Sequence, residues 1–263
     1  MNLFEVIFLG LVQGLTEFIP ISSSGHLVIV QQLLGHESNH LFLEAINIGT
    51  FIALIVYFWP RIMSIIGDVL FRKNYRLARN ILLTSIPAGI VGYVSADFIA
   101  ESAFFGSTVV VMLTLAIIGV VMVVLEKLPK LSKADSGSAL TAPRALTIGV
   151  AQMVALIPGV SRSGSTIIAG RFMGLSARNA AEYSFLASLP IMAGVTLKVL
   201  LENGDFLMMN AANLLIGNIV AFISGIAAVH FLLGYLAKHG LALFGWYRLA
   251  LAAVIGVWLL VQL

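Results

Sequence analysis

The chain has 263 residues, of which 60% are hydrophobic and only 10% charged, against roughly 25% charged in an ordinary soluble domain. Its 15 basic and 12 acidic side chains cannot coat a compact particle, so most of the exterior must face lipid. The net charge of +3 does not indicate nucleic acid, because the basic residues punctuate apolar runs instead of clustering on a polar surface, and the absence of cysteine removes disulfides, thiolate chemistry and Cys-ligated metals.

The first apolar stretch, residues 3–34, lacks a basic leading segment and carries Gln13 and Glu17, so it is expected to stay in the mature chain. It is long enough for two half-helices and is broken by Pro20-Ile-Ser-Ser-Ser-Gly-His26. Stretches of about 20 apolar residues, the length that crosses a bilayer, follow at 41–59, 80–99 and 106–125. Residues 129–143, which include Ser-Lys-Ala-Asp-Ser-Gly-Ser, read as a soluble linker. A second broken stretch, 146–175, is interrupted by Pro158-Gly-Val-Ser-Arg-Ser-Gly-Ser-Thr166, and spans are expected again at 180–200, 211–236 and 241–263. Irregular backbone at membrane depth survives only where protein or a water-filled cavity satisfies its polar groups. Both breaks therefore read as re-entrant hairpins.

Basic residues give the orientation, since cytoplasmic loops near spans collect Lys and Arg. Arg61 to Arg79, Lys127 to Arg144, Arg171 with Arg178, and Lys238 fall in alternate connections, which are assigned to the cytoplasm; the amino terminus and the other connections hold no Lys or Arg. Both termini are then outside, the first hairpin enters from outside and the second from the cytoplasm. Lys198 and Arg248 lie near helix ends and read as snorkelling side chains, whereas Arg162 lies at a hairpin tip.

The linker divides the chain near its middle, and the two parts match at an offset of 139: Gly10 with Gly149, Gln13 with Gln152, Ser22 with Ser161, Ser24 with Ser163, Gly25 with Gly164, and Glu44 with Glu182 within one residue. The expected fold is an all-α polytopic membrane protein, an inverted-topology repeat with six transmembrane helices and two re-entrant helical hairpins. Residues 1–128 form the first repeat, 129–143 a cytoplasmic linker and 144–263 the second, inverted repeat. Such repeats place a shared site near the midplane between discontinuous helices.

Gln13 and Glu17, four positions apart, share one face of the first half-helix. An ionisable group at that depth is a functional candidate by default, against the alternative that Glu17 merely bonds loop amides. Ser22, Ser23 and Ser24 are candidate helix caps. His26, one turn on, is a candidate base, metal ligand or nucleophile. Arg162, among Ser161, Ser163, Ser165, Thr166 and two glycines, offers a planar fork for a phosphate at a helix start. The Pro-Gly-x-Ser-Arg-Ser segment lacks the ending of a nucleotide-binding loop, so nucleotides are not indicated. Glu44 and Asn47 border the site less clearly, His36, His40 and His239 read as loop residues, and His230 as a helix-packing histidine. Trp59, Trp246 and Tyr247 fit an aromatic belt at span ends.

Gln13-Gly-Leu-Thr-Glu17-Phe-Ile-Pro-Ile-Ser-Ser-Ser-Gly-His26 and the Pro158 to Thr166 segment closely resemble the two signature segments of bacterial undecaprenyl-diphosphate phosphatases of the bacitracin-resistance type. The resemblance runs the length of the chain and takes in the Phe42-Leu-Glu44-Ala-Ile-Asn47 stretch. It implies hydrolysis of undecaprenyl diphosphate to undecaprenyl phosphate and inorganic phosphate, which recycles the lipid carrier of peptidoglycan synthesis at the bacterial plasma membrane and confers bacitracin resistance. It also implies a divalent cation, magnesium or calcium, held at Gln13 and Glu17. Glu17, Ser23, His26 and Arg162 are then the catalytic candidates, and Ser22, Ser24, Gly25, Ser161, Arg162, Ser163, Gly164 and Thr166 the phosphate-binding ones. The resemblance leaves open whether Ser23, His26 or water attacks. The first motif position, often Glu in that family, is Gln13 here, which leaves the site one negative charge poorer while keeping an oxygen for a hard cation. Expected partners are a polyprenyl diphosphate and membrane lipids, without nucleic acid, and the candidate assembly is a homodimer. The rival reading is a flippase or transporter of a polyprenyl phosphate, alone or combined with hydrolysis.

Overall fold

The computed structural model describes residues 1–33, 40–128 and 136–261. Among them the regular structure is helical: α1 (Leu3–Phe18), α2 (Ser23–Leu33), α3 (His40–Tyr57), α4 (Trp59–Leu70), α5 (Arg76–Val94), α6 (Ala96–Glu101), α7 (Thr108–Leu125), α8 (Ala142–Met153), α9 (Arg162–Phe172), α10 (Ala177–Glu202), α11 (Gly204–Met209), α12 (Ala211–Leu236) and α13 (Ala242–Val261), with short 3₁₀ turns at Gly137–Ala139 and Val154–Leu156. In lipid a helix satisfies its own backbone, which is why long apolar runs take this form. Ends are marked by polar caps. Asn2 and Glu5 form a reciprocal capping box at α1, and the hydroxyls of Ser107 and Ser176 accept backbone N–H bonds at the starts of α7 and α10.

Five helices, α5, α7, α10, α12 and α13, are long and apolar enough to cross a membrane, and α3 with α4 makes a sixth candidate, bent by 67°. The protein is therefore a multi-pass membrane protein. The expected span at 41–59 corresponds to α3, which turns sharply after Tyr57 where α4 opens on Trp59-Pro60, a proline that lacks the N–H needed to continue the α3 ladder. The span expected at 80–99 ends earlier, at Val94, and the chain turns at Ser95 into the short α6. Of the expected linker, residues 129–135 lie outside the described residues. Its described end is held against the body: Asn80 Nδ2 donates to the carbonyls of Gly137 at 3.0 Å and Leu140 at 2.9 Å.

The helix pairs exchange partners between the two parts of the chain. α1 packs on α12 and α8 on α5, α3 packs on α12 and α10 on α5, and α7 lies along α13. Close approach of α1 to α12 depends on small residues. A Cβ on Gly10 would stand 2.6 Å from the Gly217 carbonyl oxygen, and one on Gly14 would meet the Ser224 hydroxyl and the Ala221 carbonyl. Gly14→Ala is expected to cost about 1–3 kcal/mol through overpacking, seen as a lower thermal midpoint in detergent. Gly67→Ala, inside α4 where a Cβ meets nothing within 4 Å, should not lower that midpoint and gains from alanine's higher helix propensity.

Candidate active site

The four half-helices α1, α2, α8 and α9 have 16, 11, 12 and 11 residues, each too short to cross a bilayer alone. The breaks between them are shorter than the sequence suggests, because α2 already begins at Ser23 and α9 at Arg162. The two starts are alike in detail. Ser22 and Ser161, 139 positions apart, both have φ of 76°, a left-handed conformation that costs a non-glycine residue about 1–3 kcal/mol. Each hydroxyl accepts from the backbone N–H three residues on, from Gly25 at 3.3 Å and from Gly164 at 3.1 Å. Each also bonds the serine two residues on, Ser24 at 3.2 Å and Ser163 at 3.1 Å.

Arg248 holds the two breaks together. Its Nε donates to the Pro20 carbonyl at 2.7 Å, Nη1 to Gly159 at 2.9 Å and Nη2 to Val160 at 3.0 Å. The residue is 0% exposed and has no acidic partner among the described residues, so the expectation that it snorkels to the interface is overturned. The carbonyls are the reason: two re-entrant breaks leave acceptors that no helix satisfies, and one guanidinium supplies three donors to them. Thr114 Oγ1 donates to the carbonyl of Pro158 at 2.7 Å. Gly159, at φ 85°, lies where a Cβ would strike that threonine hydroxyl.

Glu17, at the end of α1, is the hub between the breaks. Arg162 Nη2 donates to its Oε1 at 2.6 Å. Ser23 Oγ donates to its Oε2 at 2.6 Å and Gln13 Nε2 donates to the same oxygen at 3.0 Å. Gln13 Nε2 also donates to Asn47 Oδ1 from α3. The Arg162 and Glu17 side chains are 21% and 12% exposed, so the pair is shielded but reachable. Among the described residues Arg162 uses only Nη2, to Glu17 and to Met192 Sδ at 3.3 Å, leaving Nε and Nη1 for an anion. Ser163 Oγ reaches the Glu17 backbone carbonyl at 3.5 Å.

His26 stands apart from this hub. Its Nδ1 bonds the Ser22 carbonyl at 2.7 Å and its Nε2 the Tyr247 hydroxyl at 2.7 Å, so the ring bonds neither Ser23 nor Glu17. Tyr247 thus belongs to the site and not solely to an aromatic belt. Thr166, within α9, is buried against α10, bonded to the Arg162 carbonyl at 2.9 Å and to the Ser184 hydroxyl at 2.5 Å; it braces the turn that carries Arg162. Glu44 is exposed and takes no part. His40 opens α3, His36 lies outside the described residues, His239 stacks on Tyr235, and His230 meets the Tyr57 hydroxyl at 3.4 Å as a helix-packing histidine. Asn47, Tyr247 and Arg248 are the site residues that sequence reasoning undervalued.

A divalent cation fits what is present, though thinly. Gln13 is 0% exposed, and its Oε1 is buried without a hydrogen-bond partner, while its Nε2 bonds Asn47 Oδ1 and the Glu17 oxygen that also accepts from Ser23. Hard cations take such oxygens. Among the described residues no group of three or more His, Asp or Glu gathers to hold a metal, so most of the charge on a bound cation would have to be met by the ligand it shares.

The helices and this cluster define a class: a polytopic membrane protein with a charged, hydroxyl-rich site where two broken helices meet. The family described as bacitracin resistance protein BacA matches residues 6–254. Undecaprenyl-diphosphatases from two strains of Cereibacter sphaeroides are each 36% identical to this chain over 249 residues, covering 94% of it and 92% of the relative. The chain belongs to the BacA family.

Proposed function

We propose that this protein hydrolyses undecaprenyl diphosphate to undecaprenyl phosphate and inorganic phosphate at the outer face of the bacterial plasma membrane, and so confers bacitracin resistance. The observation that carries the reading is the Glu17 carboxylate, which holds Arg162 on one oxygen and the Ser23 hydroxyl on the other, each at 2.6 Å. A nucleophile bonded to a base that is itself oriented by a third group is the arrangement nucleophilic catalysis requires. Inverted repeats bounded at 1–128 and 144–263 are part of the proposal, supported by the matched starts of α2 and α9 and by the exchanged helix pairs. Assembly as a homodimer belongs to the same reading and is checked by the mass of the detergent-solubilised particle.

Arg162 holds the terminal phosphoryl group with the N–H donors it does not spend on Glu17. Ser23 Oγ attacks phosphorus while its proton passes to Glu17. The bridging P–O bond breaks and its electron pair leaves with undecaprenyl phosphate. Water then attacks the phosphoseryl group, the P–Oγ bond breaks, and Glu17 returns its proton to Ser23. Phosphoryl transfer is mostly positioning and electrostatics, so few side chains suffice. Glu17, Gln13, Asn47 and Ser23 would hold magnesium or calcium, which when bound supplies charge neutralisation for the phosphoryl oxygens.

Phosphate release from a C55 or C15 prenyl diphosphate by the purified chain in detergent tests this reading, because no vectorial transport is scored there. The expected outcome is release that stops on chelation, resumes with magnesium, and falls at least a hundredfold in Glu17→Ala. Absence of release from folded wild type in every cation condition would favour a carrier instead.

A further inference from the structure

The phosphoseryl step needs a base for water, and Glu17 is protonated at that moment by the proton it took from Ser23. Besides Glu17, the group among the described residues of the two breaks that can take a proton from water is His26, and its hydrogen bonds say how a proton can reach it. A carbonyl only accepts, so the 2.7 Å contact to Ser22 puts a proton on Nδ1. Nε2 of the neutral ring is then the basic nitrogen, with a single lone pair in the ring plane. That nitrogen meets the Tyr247 hydroxyl at 2.7 Å, and the two ring planes are nearly parallel, 8° apart, with centroids 5.7 Å apart.

Resting on the phosphatase reading, we propose that Tyr247 is a catalytic relay for the second step, carrying the proton of the attacking water to His26. As the water oxygen bonds phosphorus and the P–Oγ bond to Ser23 breaks, one water proton passes to the Tyr247 oxygen and the phenol's own proton passes to His26 Nε2. The imidazolium then releases that proton to bulk water. The lone pair of Nε2 is taken by the phenol, so the route runs through the phenol oxygen and not directly to the ring.

Two further observations support the assignment. Tyr247 precedes Arg248, the fully buried side chain tied to both breaks, so the phenol's turn of α13 is fixed relative to Ser23 and Arg162. At 43% exposure the tyrosine is nevertheless not sealed inside the protein. The arrangement also exists on one side only: at an offset of 139 from His26 stands Ser165, whose hydroxyl bonds its own helix at the Arg162 carbonyl, 3.0 Å away.

The test uses the full-length chain in detergent, a prenyl diphosphate labelled on its terminal phosphorus, and acid quenching at successive times. Tyr247→Phe keeps the ring and removes only the hydroxyl. The expected result is a burst of prenyl phosphate at near wild-type rate, label accumulating on Ser23, and steady-state turnover lower by about tenfold or more. His26→Ala should accumulate label in the same way, and Ser23→Ala should carry none. A merely structural tyrosine would slow both steps together or neither. Wild-type turnover and label in Tyr247→Phe, with label accumulating in His26→Ala, would overturn the relay alone. No label in any variant, from active wild type, would overturn the covalent route and the relay with it.

Discussion

Arg162→Lys lowers kcat/KM for phosphate release by about a hundredfold or more, the range seen when one preorganised donor to a developing anion is lost. The substitution keeps the charge, so a site that needed only a positive potential would tolerate it. Arg162 does more than supply charge. It spends an Nη2 N–H on Glu17 at 2.6 Å and keeps its other N–H donors in the same rigid plane, so one guanidinium orients the carboxylate and presents further donors to phosphate. A lysine ammonium is a compact point charge on a flexible stem and cannot do both in fixed geometry. Steady-state kinetics in detergent with saturating magnesium checks this, and near-normal turnover would remove Arg162 from its assigned role.

Arg248→Met abolishes activity and also lowers the thermal midpoint, a combination that Arg162→Lys should not produce. The methionine fills comparable volume but leaves the carbonyls of Pro20, Gly159 and Val160 without donors. Each orphaned buried carbonyl costs about 1–3 kcal/mol, and the three together amount to several kcal/mol. Arg248→Lys reaches fewer of the three carbonyls and should fall between wild type and Met in stability. Thermal unfolding by intrinsic fluorescence, paired with phosphate release, separates the two quantities. Full activity in Arg248→Met would mean that the breaks keep their mutual position without it.

Long apolar helices were legible because length and hydropathy alone define them; α12 at Ala211–Leu236 coincides with the expected span. The bends at Phe58 and Ser95 were not: Pro60, which opens α4, marks the first but stands at the edge of the apolar run, and no strong breaker stands at the second. The hub residues Gln13, Glu17, Ser23 and Arg162 were visible as polar groups at membrane depth, and the structure brings these four together. His26 was grouped with Ser23 on sequence proximity, yet its ring turns to α13. Spacing within a helix gives a face but does not say which distant helix covers it, so Tyr247 looked like part of a belt. Arg248 lies six residues into α13, deep enough for its charge to demand partners. The carbonyls that answer that demand come from positions 89 and 228 residues away in sequence, and no local pattern announces them.

The exchange of partners between the two parts of the chain also governs how the protein is made. α1 emerges first from the ribosome, but the helix it packs against, α12, lies about 200 residues later. At the usual pace of about 5–20 residues per second, that separation is roughly 10–40 s of synthesis during which the first hairpin is in the membrane without its seat. Glu17 likewise meets Arg162 only after more than half the chain has been translated. The first hairpin is thus among the earliest parts synthesised and among the last to be enclosed, and a stall or truncation after α10 would leave α1 without the α12 it packs against and open to quality-control proteases.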